Sequence, residues 1–217
     1  MSLIKICGLS TQDTLDAALD AGADMVGFVF FEKSPRHLSL PLAGALGRDV
    51  EGRAKKVALT VNASDDEIDV IALTLRPDFL QLHGQETPER VAAIKERYGL
   101  PVLKVFGIAG AEDLAAMPAY EGVADWLMLD AKPPKDAARP GGNGIAFDWT
   151  VLSGLSRALP FMLSGGLDPQ NVGEAIAIAR PNGVDVSSGV EDMPGLKNPD
   201  KIRAFVSAAR AAYARPR

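Results

Sequence analysis

Short apolar runs alternate with amphipathic stretches along the whole chain. The run at residues 25–31 is almost wholly apolar, which is typical of a parallel strand covered on both faces. Between the runs, apolar residues recur at helical spacing and predict about eight helices. Repeated strand–helix units favour a parallel sheet with right-handed crossovers. The predicted strands are residues 3–7, 25–31, 56–61, 78–82, 102–106, 125–130, 161–163 and 184–186.

Local signals place several helix starts. Ser64 and Glu67 have the spacing of a capping box. Asp168-Pro169 predicts a helix with Asp168 as its N-cap and proline at its first position. Further helices are predicted near residues 112–117 and over 149–158.

Eight βα units favour a closed (β/α)8 TIM barrel over an open, doubly wound sheet. No G-x-G-x-x-G motif follows the first strand, which argues further against a dinucleotide-binding sheet. The 217 residues show no shift in composition that marks a linker. We therefore expect a single TIM-barrel domain over residues 1–217.

Composition narrows the classes of partner. A formal net charge of −5 argues against non-specific binding to nucleic acid or to an anionic membrane, so local donors must hold any anionic substrate. A single cysteine excludes an internal disulfide and a cysteine-based metal cluster. The opening residues lack the apolar segment of a signal peptide, and no run reaches transmembrane length. The expected location is the cytoplasm.

Two turns of small residues follow the last two predicted strands. They are Ser164-Gly165-Gly166 and Ser187-Ser188-Gly189. Glycine permits close approach of the backbone, and free N–H groups in such turns can converge on an anion. The loops after strands seven and eight of a βα barrel often bind phosphate. We predict a phosphate site at Gly165, Gly166, Ser188 and Gly189.

Polar and reactive side chains gather at the other strand ends, where this architecture places its active sites. Cys7, His83 and Asp130 stand at or next to such ends. Strand alternation puts Lys5 on the same face as Cys7, and a neighbouring cation would lower the pKa of the thiol. The same alternation puts Gln81 on the face of His83.

Each of these residues also has a plain structural interpretation. Cys7 could be a small buried hydrophobe, Asp130 a cap after strand six, Arg36 half of a surface ion pair, and His83 a structural imidazole. The loop at residues 131–147, with Lys132, Lys135 and Arg139, is either a mobile cover over the site or a solvated loop.

A set of short motifs follows the strand ends in order from residue 5 to about residue 199. The motifs are Lys5-Ile6-Cys7-Gly8, Gly27-Phe28-Val29-Phe30, Ser34-Pro35-Arg36, Gln81-Leu82-His83-Gly84, Leu129-Asp130, Gly141-Gly142-Asn143-Gly144, Phe147-Asp148-Trp149, Leu163-Ser164-Gly165-Gly166-Leu167 and Asp185-Val186-Ser187-Ser188-Gly189-Val190-Glu191. This ordered set resembles the phosphoribosylanthranilate isomerase family, and Asn143 and Ser164 are small departures from its commonest pattern.

The resemblance implies an Amadori rearrangement in tryptophan biosynthesis that uses neither metal nor organic cofactor. N-(5-phosphoribosyl)anthranilate would become 1-(2-carboxyphenylamino)-1-deoxyribulose 5-phosphate, with Asp130 as general acid and Cys7 as general base. Arg36 would hold the anthranilate carboxylate through a bidentate fork. Asp185 would contact the ribose or the amine. Gln81 and His83 complete the expected substrate site.

Two other functions compete with this interpretation. A Schiff-base aldolase of the same architecture would use Lys104 or Lys132 as its amine. A non-catalytic barrel that binds phosphosugars would need neither Cys7 nor Asp130. Whether the chain is a monomer or a homodimer is open at this level.

Overall fold

The computed structural model describes residues 2–132, 141–142, 144, 146–155 and 158–215. Eight parallel strands form a closed barrel in chain order, and the first strand pairs with the last. The (β/α)8 architecture is therefore confirmed. The strands are β1 Leu3–Cys7, β2 Met25–Phe30, β3 Lys55–Thr60, β4 Phe79–Leu82, β5 Val102–Ile108, β6 Trp126–Ala131, β7 Phe161–Leu163 and β8 Gly183–Val186. Each lies at a predicted apolar run, with ends displaced by one or two residues at most.

Helices connect the strands on the outside of the barrel. The α-helices are α1 Gln12–Asp20, α2 Leu40–Asp49, α3 Asp65–Leu75, α4 Pro88–Tyr98, α5 Val172–Ala179 and α6 Pro199–Tyr213. Short 3-10 helices follow β5 (Ala111–Tyr120), β6 (Trp149–Gly154) and β8 (Ser188–Val190). An antiparallel hairpin, β9 Glu191–Met193 and β10 Leu196–Lys197, precedes α6. No helix in the described ranges is long and apolar enough to cross a bilayer.

The capping box is confirmed, whereas two other helix predictions are wrong in detail. Ser64 Oγ accepts from the Glu67 N–H, and the Glu67 carboxylate accepts from the Ser64 N–H at 2.7 Å. The Asp168 carboxylate instead accepts from the N–H groups of Gln170 and Asn171, so it forms an Asx turn one turn ahead of α5. The helix predicted over 149–158 is a 3-10 helix that ends at Gly154, because β-branched residues and glycine disfavour an α-helix there.

Two apolar layers hold the barrel together. One lies between the strands and the helices and includes Ile4, Phe28 and Phe205, all fully buried. The other contains strand residues alone and fills the barrel interior: Met25, Val57, Leu103, Val105, Met128 and Met162. At the carboxyl ends of the strands, polar side chains join a small apolar cluster that contains Cys7, Val29 and Leu59.

A buried ion pair fixes the loop after β4. Lys104 Nζ lies 2.8 Å from Glu86 Oε2 and donates to the carbonyl oxygens of Leu82 and Gly84. Glu86 also accepts from the backbone N–H of Asn62 at 2.8 Å. A buried charge needs such partners to offset its desolvation. Lys104 therefore holds the segment that carries His83.

Candidate active site

A cavity opens at the carboxyl ends of the strands and encloses about 760 Å³ including its mouth. Its walls contain nine of the ten predicted site residues, and Gly189 is the exception. The nine are Cys7, Arg36, Gln81, His83, Asp130, Gly165, Gly166, Asp185 and Ser188.

A buried ion pair lies beneath the thiol of Cys7. Lys5 Nζ is 2.7 Å from Asp185 Oδ1, and Lys5 has no exposed surface. Asp185 Oδ2 accepts a hydrogen bond from Ser164 Oγ at 3.1 Å. A methyl group in place of Gly27 would lie 2.9 Å from Cys7 Sγ and 3.1 Å from Lys5 Nζ. The glycine on β2 therefore leaves the space in which the thiol and the amine lie side by side.

Burial dominates the ionisation of Cys7. Burial raises the pKa of the Cys7 thiol, the charge of Lys5 opposes this, and Asp185 raises it further, so the net pKa lies above its usual value. The effect of Lys5 has the direction expected from the sequence, but burial and Asp185 outweigh it. Burial has the opposite effect on Lys5 and lowers its pKa, but Asp185 and Cys7 together raise the net pKa of Lys5 above its usual value. The lysine therefore remains charged next to a protonated thiol.

This environment predicts a measurable titration. Cys7 is the single cysteine of the chain, so protein labelled with ¹³C at cysteine Cβ gives one thiol signal. We expect its midpoint in the folded protein to lie above that of the same protein in urea. Asp185→Asn should move the folded midpoint down, because it removes a negative charge that raises the pKa of Cys7. A folded midpoint below the unfolded one would contradict this description.

Asp130 and His83 face each other across the mouth. Asp130 lies near the end of β6, is 5% exposed, and its Oδ1 accepts from the backbone N–H of Ala131 at 2.9 Å. Its Oδ2 lies 3.4 Å from His83 Nε2. A methyl group on Gly141 would lie 2.5 Å from Asp130 Oδ2 and 2.6 Å from His83 Cε1. The glycine lets the loop after β6 return directly over the carboxyl and the imidazole.

Gln81 lies deeper in the barrel below His83. Its side-chain nitrogen lies 3.5 Å from His83 Nδ1 and 3.5 Å from Met128 Sδ. Its side-chain oxygen is buried and has no hydrogen-bond partner among the residues that the structure describes. Because unpaired buried acceptors are costly, this oxygen is a ready acceptor for a donor that enters the cavity.

Arg36 lies at the predicted mouth, but one edge of its guanidinium is already occupied. Nε and Nη2 each lie 2.7 Å from an oxygen of Glu191. Nη2 also donates to the carbonyl oxygen of Gly142 at 3.5 Å, so Nη1 is the guanidinium nitrogen without a hydrogen bond in the described part of the chain. Binding of the substrate carboxylate by Arg36 stays a prediction. A methyl group on Gly8 would lie 2.6 Å from Arg36 Cδ, so the glycine after Cys7 makes room for the arginine stem.

Glu191 and Lys197 are site residues to which sequence reasoning gave no role. Lys197 Nζ contacts Glu191 Oε1 at 2.5 Å and the carbonyl oxygen of Ser187 at 3.1 Å. Burial raises the pKa of Glu191, but Arg36 and Lys197 outweigh it and hold that pKa below its usual value. Burial lowers the pKa of Lys197 to about 8 despite the opposing charge of Glu191. The signal that the sequence offered was an acid two positions after the Ser-Ser-Gly turn.

The two predicted phosphate turns lie against each other. Gly165 and Gly166 have φ values of +87° and +63°, a region that glycine enters at no steric cost. A methyl group on Gly189 would lie 1.9 Å from the carbonyl oxygen of Leu167, so its missing side chain lets the loops after β7 and β8 touch. In the described part of the chain, no hydrogen bond uses the N–H of Gly165, Gly166, Ser188 or Gly189.

The loop after β6 is described only in part. Lys132 is half exposed, and its Nζ lies 2.6 Å from Asp113 Oδ1. Lys135, Arg139 and Asn143 lie outside the described residues. The expectation that this loop covers the site therefore stays a prediction.

Comparison with known proteins identifies the family. The family model of N-(5'-phosphoribosyl)anthranilate isomerase matches residues 4–208. The enzyme of that name from Rhodopseudomonas palustris strain CGA009 is 60% identical over 211 residues, which is 97% of this chain and 99% of the relative. The crystal structure of phosphoribosyl anthranilate isomerase from Thermotoga maritima has a TM-score of 0.88 at 34% identity, covering 97% of this chain and 100% of that one.

A second solved phosphoribosyl anthranilate isomerase holds reduced 1-(o-carboxyphenylamino)-1-deoxyribulose 5-phosphate. It has a TM-score of 0.85 at 32% identity and covers 97% of this chain and 100% of that one. The matches extend over almost the whole length on both sides. The chain therefore belongs to the N-(5'-phosphoribosyl)anthranilate isomerase family.

Proposed function

We propose that this chain converts N-(5-phosphoribosyl)anthranilate into 1-(2-carboxyphenylamino)-1-deoxyribulose 5-phosphate, with Asp130 as the acid and Cys7 as the base. Family membership makes it an isomerase of tryptophan biosynthesis. The observation that carries the residue assignment is the cavity itself, because one mouth contains the thiol, a buried carboxyl group and two turns whose N–H groups have no partner among the described residues.

Two anionic ends of the substrate match two donor sets in this cavity. The phosphate would accept from the main-chain N–H groups of the turns at Gly165-Gly166 and Ser188-Gly189. The anthranilate carboxylate would accept from Nη1 of Arg36, with the Nη2 hydrogen that now points to the Gly142 carbonyl oxygen as a second donor. The solved relative that holds a ligand binds a molecule with the same two groups, which supports a site for both groups in this fold.

The first chemical step opens the ribose ring. Asp130, in its protonated form, donates a proton to the ring oxygen, and the bond between this oxygen and C1 breaks. The lone pair of the anthranilate nitrogen forms the C1=N bond of a protonated Schiff base. His83, 3.4 Å from the carboxyl group, would orient it toward the ring oxygen.

The second step moves the double bond. Cys7, as a thiolate, removes the proton from C2, and the released electron pair forms C1=C2 while the Schiff base becomes a neutral amine. This enolamine then gains a proton at C1 and loses its C2 hydroxyl proton, which gives the ketone. Asp185, buried beside Cys7, would accept from a ribose hydroxyl through the oxygen that now pairs with Ser164. The two steps transfer protons only and leave the overall oxidation state of the molecule unchanged.

Neither of the two lysines considered for a Schiff-base aldolase is suited to that role. Lys104 is 2% exposed and donates to Leu82, Gly84 and Glu86, so its amine faces away from the mouth. Lys132 lines the cavity, but it is paired with Asp113, which raises the pKa of its ammonium group. A Schiff-base lysine instead needs a lowered pKa. Borohydride trapping of a substrate carbon on either lysine would support the aldolase.

The proposed function is tested by assaying the purified chain on N-(5-phosphoribosyl)anthranilate and by complementing a tryptophan auxotroph that lacks this step. We expect conversion to the ketose product and growth without tryptophan. Binding of the substrate without conversion would favour the non-catalytic barrel.

The phosphate assignment predicts that Ser188→Ala has little effect. The alanine keeps the main-chain N–H, so KM should change by no more than about 2- to 3-fold, the loss of at most a weak neutral hydrogen bond. The measurement is KM together with the competition constant for inorganic phosphate. A larger loss would assign the phosphate contact to the hydroxyl group.

A larger residue at Gly165 cannot serve as the opposite test, in which binding of the phosphate is blocked. A methyl group there would lie 2.3 Å from the backbone nitrogen of Ala131, so a larger residue would displace β6 as well as block the anion.

A further inference from the structure

The carboxylate end of the cavity is supported by a buried charge cluster that the proposed chemistry does not use. Glu191, at the start of β9, has a side chain that is 3% exposed. Its Oε1 accepts from Arg36 Nε at 2.7 Å, and its Oε2 accepts from Arg36 Nη2 at 2.7 Å. Such a two-point contact fixes the plane of the guanidinium as well as its position.

Lys197 balances the charge of this carboxylate from the opposite side. Its side chain is 1% exposed, and its Nζ contacts Glu191 Oε1, the Ser187 carbonyl oxygen and Ser187 Oγ. Together, two cations and one anion leave one net positive charge beside the mouth. This net charge suits one carboxylate, whereas Arg36 and Lys197 without Glu191 would repel each other.

The cluster is also joined to the strand that carries the base. Ser187 Oγ donates to the carbonyl oxygen of Cys7 at 3.1 Å and contacts Lys197 Nζ at 3.2 Å. On the other side, the N–H of Gly195 in the hairpin donates to Glu191 Oε2 at 3.2 Å, and a methyl group on Gly195 would lie 2.6 Å from the Pro35 carbonyl oxygen. The hairpin thus packs on the segment that carries Arg36.

We infer that Glu191 is a positioning residue: it holds Arg36 so that Nη1 of the guanidinium faces the aryl end of the substrate, and it thereby makes the enzyme selective for substrates with a carboxylate at that position. This inference rests on the proposed binding role of Arg36. Glu191 touches no substrate atom and acts only through the arginine.

The test compares two substrates that differ in one group. N-(5-phosphoribosyl)anthranilate carries the carboxylate, and N-(5-phosphoribosyl)aniline lacks it. For Glu191→Gln, we expect kcat/KM on the anthranilate compound to fall by about 10- to 100-fold, the range for a charged hydrogen bond, mostly through KM. On the aniline compound the same variant should stay within about 3-fold of the unaltered enzyme, because there is no carboxylate contact to lose.

Control variants separate this role from general damage. Asp192→Asn makes the same chemical change one position away, at a half-exposed side chain paired with Lys201. This variant should keep the kcat/KM of the unaltered enzyme on both substrates. Glu191→Asp keeps the charge with a shorter reach and should recover part of the selectivity. It is assayed on the same pair if Glu191→Gln is too unstable. Equal losses on both substrates, or no loss on either, would overturn the inference.

Arg36→Lys distinguishes this inference from the proposed function. The lysine keeps the charge but loses the planar fork, so KM for the anthranilate compound should rise more than kcat falls. Suppose that Arg36→Lys lowers kcat/KM on the anthranilate compound alone, whereas Glu191→Gln shows no such difference between the two substrates. The positioning role of Glu191 then fails, but the carboxylate site at Arg36 stands. If Arg36→Lys affects both substrates equally, the carboxylate site is elsewhere and the inference falls with it.

Discussion

Replacement of Cys7 with serine should lower kcat by about 10²- to 10⁴-fold, the usual contribution of one general acid–base group. Serine fits the same space, since Gly27 leaves room for the side chain beside Lys5. Its hydroxyl group, however, is a far weaker acid than a thiol, and burial that raises the pKa of Cys7 would penalise an alkoxide even more. The base form would then be almost absent at neutral pH.

The loss should be confined to chemistry. Cys7→Ser should bind the reduced product analogue as tightly as the unaltered enzyme, because the proposed phosphate and carboxylate donors lie on other residues. For the unaltered enzyme, kcat/KM should rise with pH on the alkaline side, since the raised pKa of Cys7 leaves the free enzyme short of thiolate. A serine variant with weakened analogue binding would assign Cys7 to binding.

Asp130→Asn should cost at least as much in kcat, by about 10²- to 10⁴-fold. The amide oxygen can still accept from the Ala131 N–H, so the local backbone should remain in place. The amide nitrogen has no proton of suitable acidity for the ring oxygen, so ring opening should become rate-limiting. Single-turnover experiments should therefore show substrate that persists in its closed form.

Asp125→Asn is the matched control for this variant. Asp125 stands just before β6, at the opposite end from Asp130, where it pairs with Lys95 and accepts from the Val102 N–H. Asp125→Asn should lower the free energy of unfolding without changing kcat. If both aspartate variants lost activity to the same degree, the effect would come from strand β6 as a whole.

The placement of the eight barrel strands follows from the sequence because these strands are largely buried on both faces. The barrel strands have few polar residues before their carboxyl ends, so the sequence itself indicates Cys7 and Asp130 as candidate site residues at those ends. Their convergence then follows from barrel closure, in which β1 pairs with β8. The single-domain organisation over residues 1–217 stays a prediction.

Partners that depend on tertiary contacts could not be predicted in the same way. Arg36 and Glu191 are 155 positions apart, and Lys5 and Asp185 are 180 apart, so no local pattern links either pair. The net pKa of Cys7 depends on how burial compares with the charge of Lys5, and a sequence gives the charge but not the burial. The 3-10 helix at Trp149–Gly154 was missed because apolar spacing alone does not separate it from an α-helix.

The division of labour between Cys7 and Asp130 is tested most directly by following C2 itself. Substrate with deuterium at ribose C2 is mixed with excess enzyme in single turnovers, and loss of deuterium from C2 is measured alongside product formation. We expect the unaltered enzyme to lose the label at the rate of turnover. Cys7→Ser and Asp130→Asn should both lose it at least about 10²-fold more slowly. Near-normal loss of deuterium by Cys7→Ser would contradict the assignment and make Asp185 the next candidate for the base.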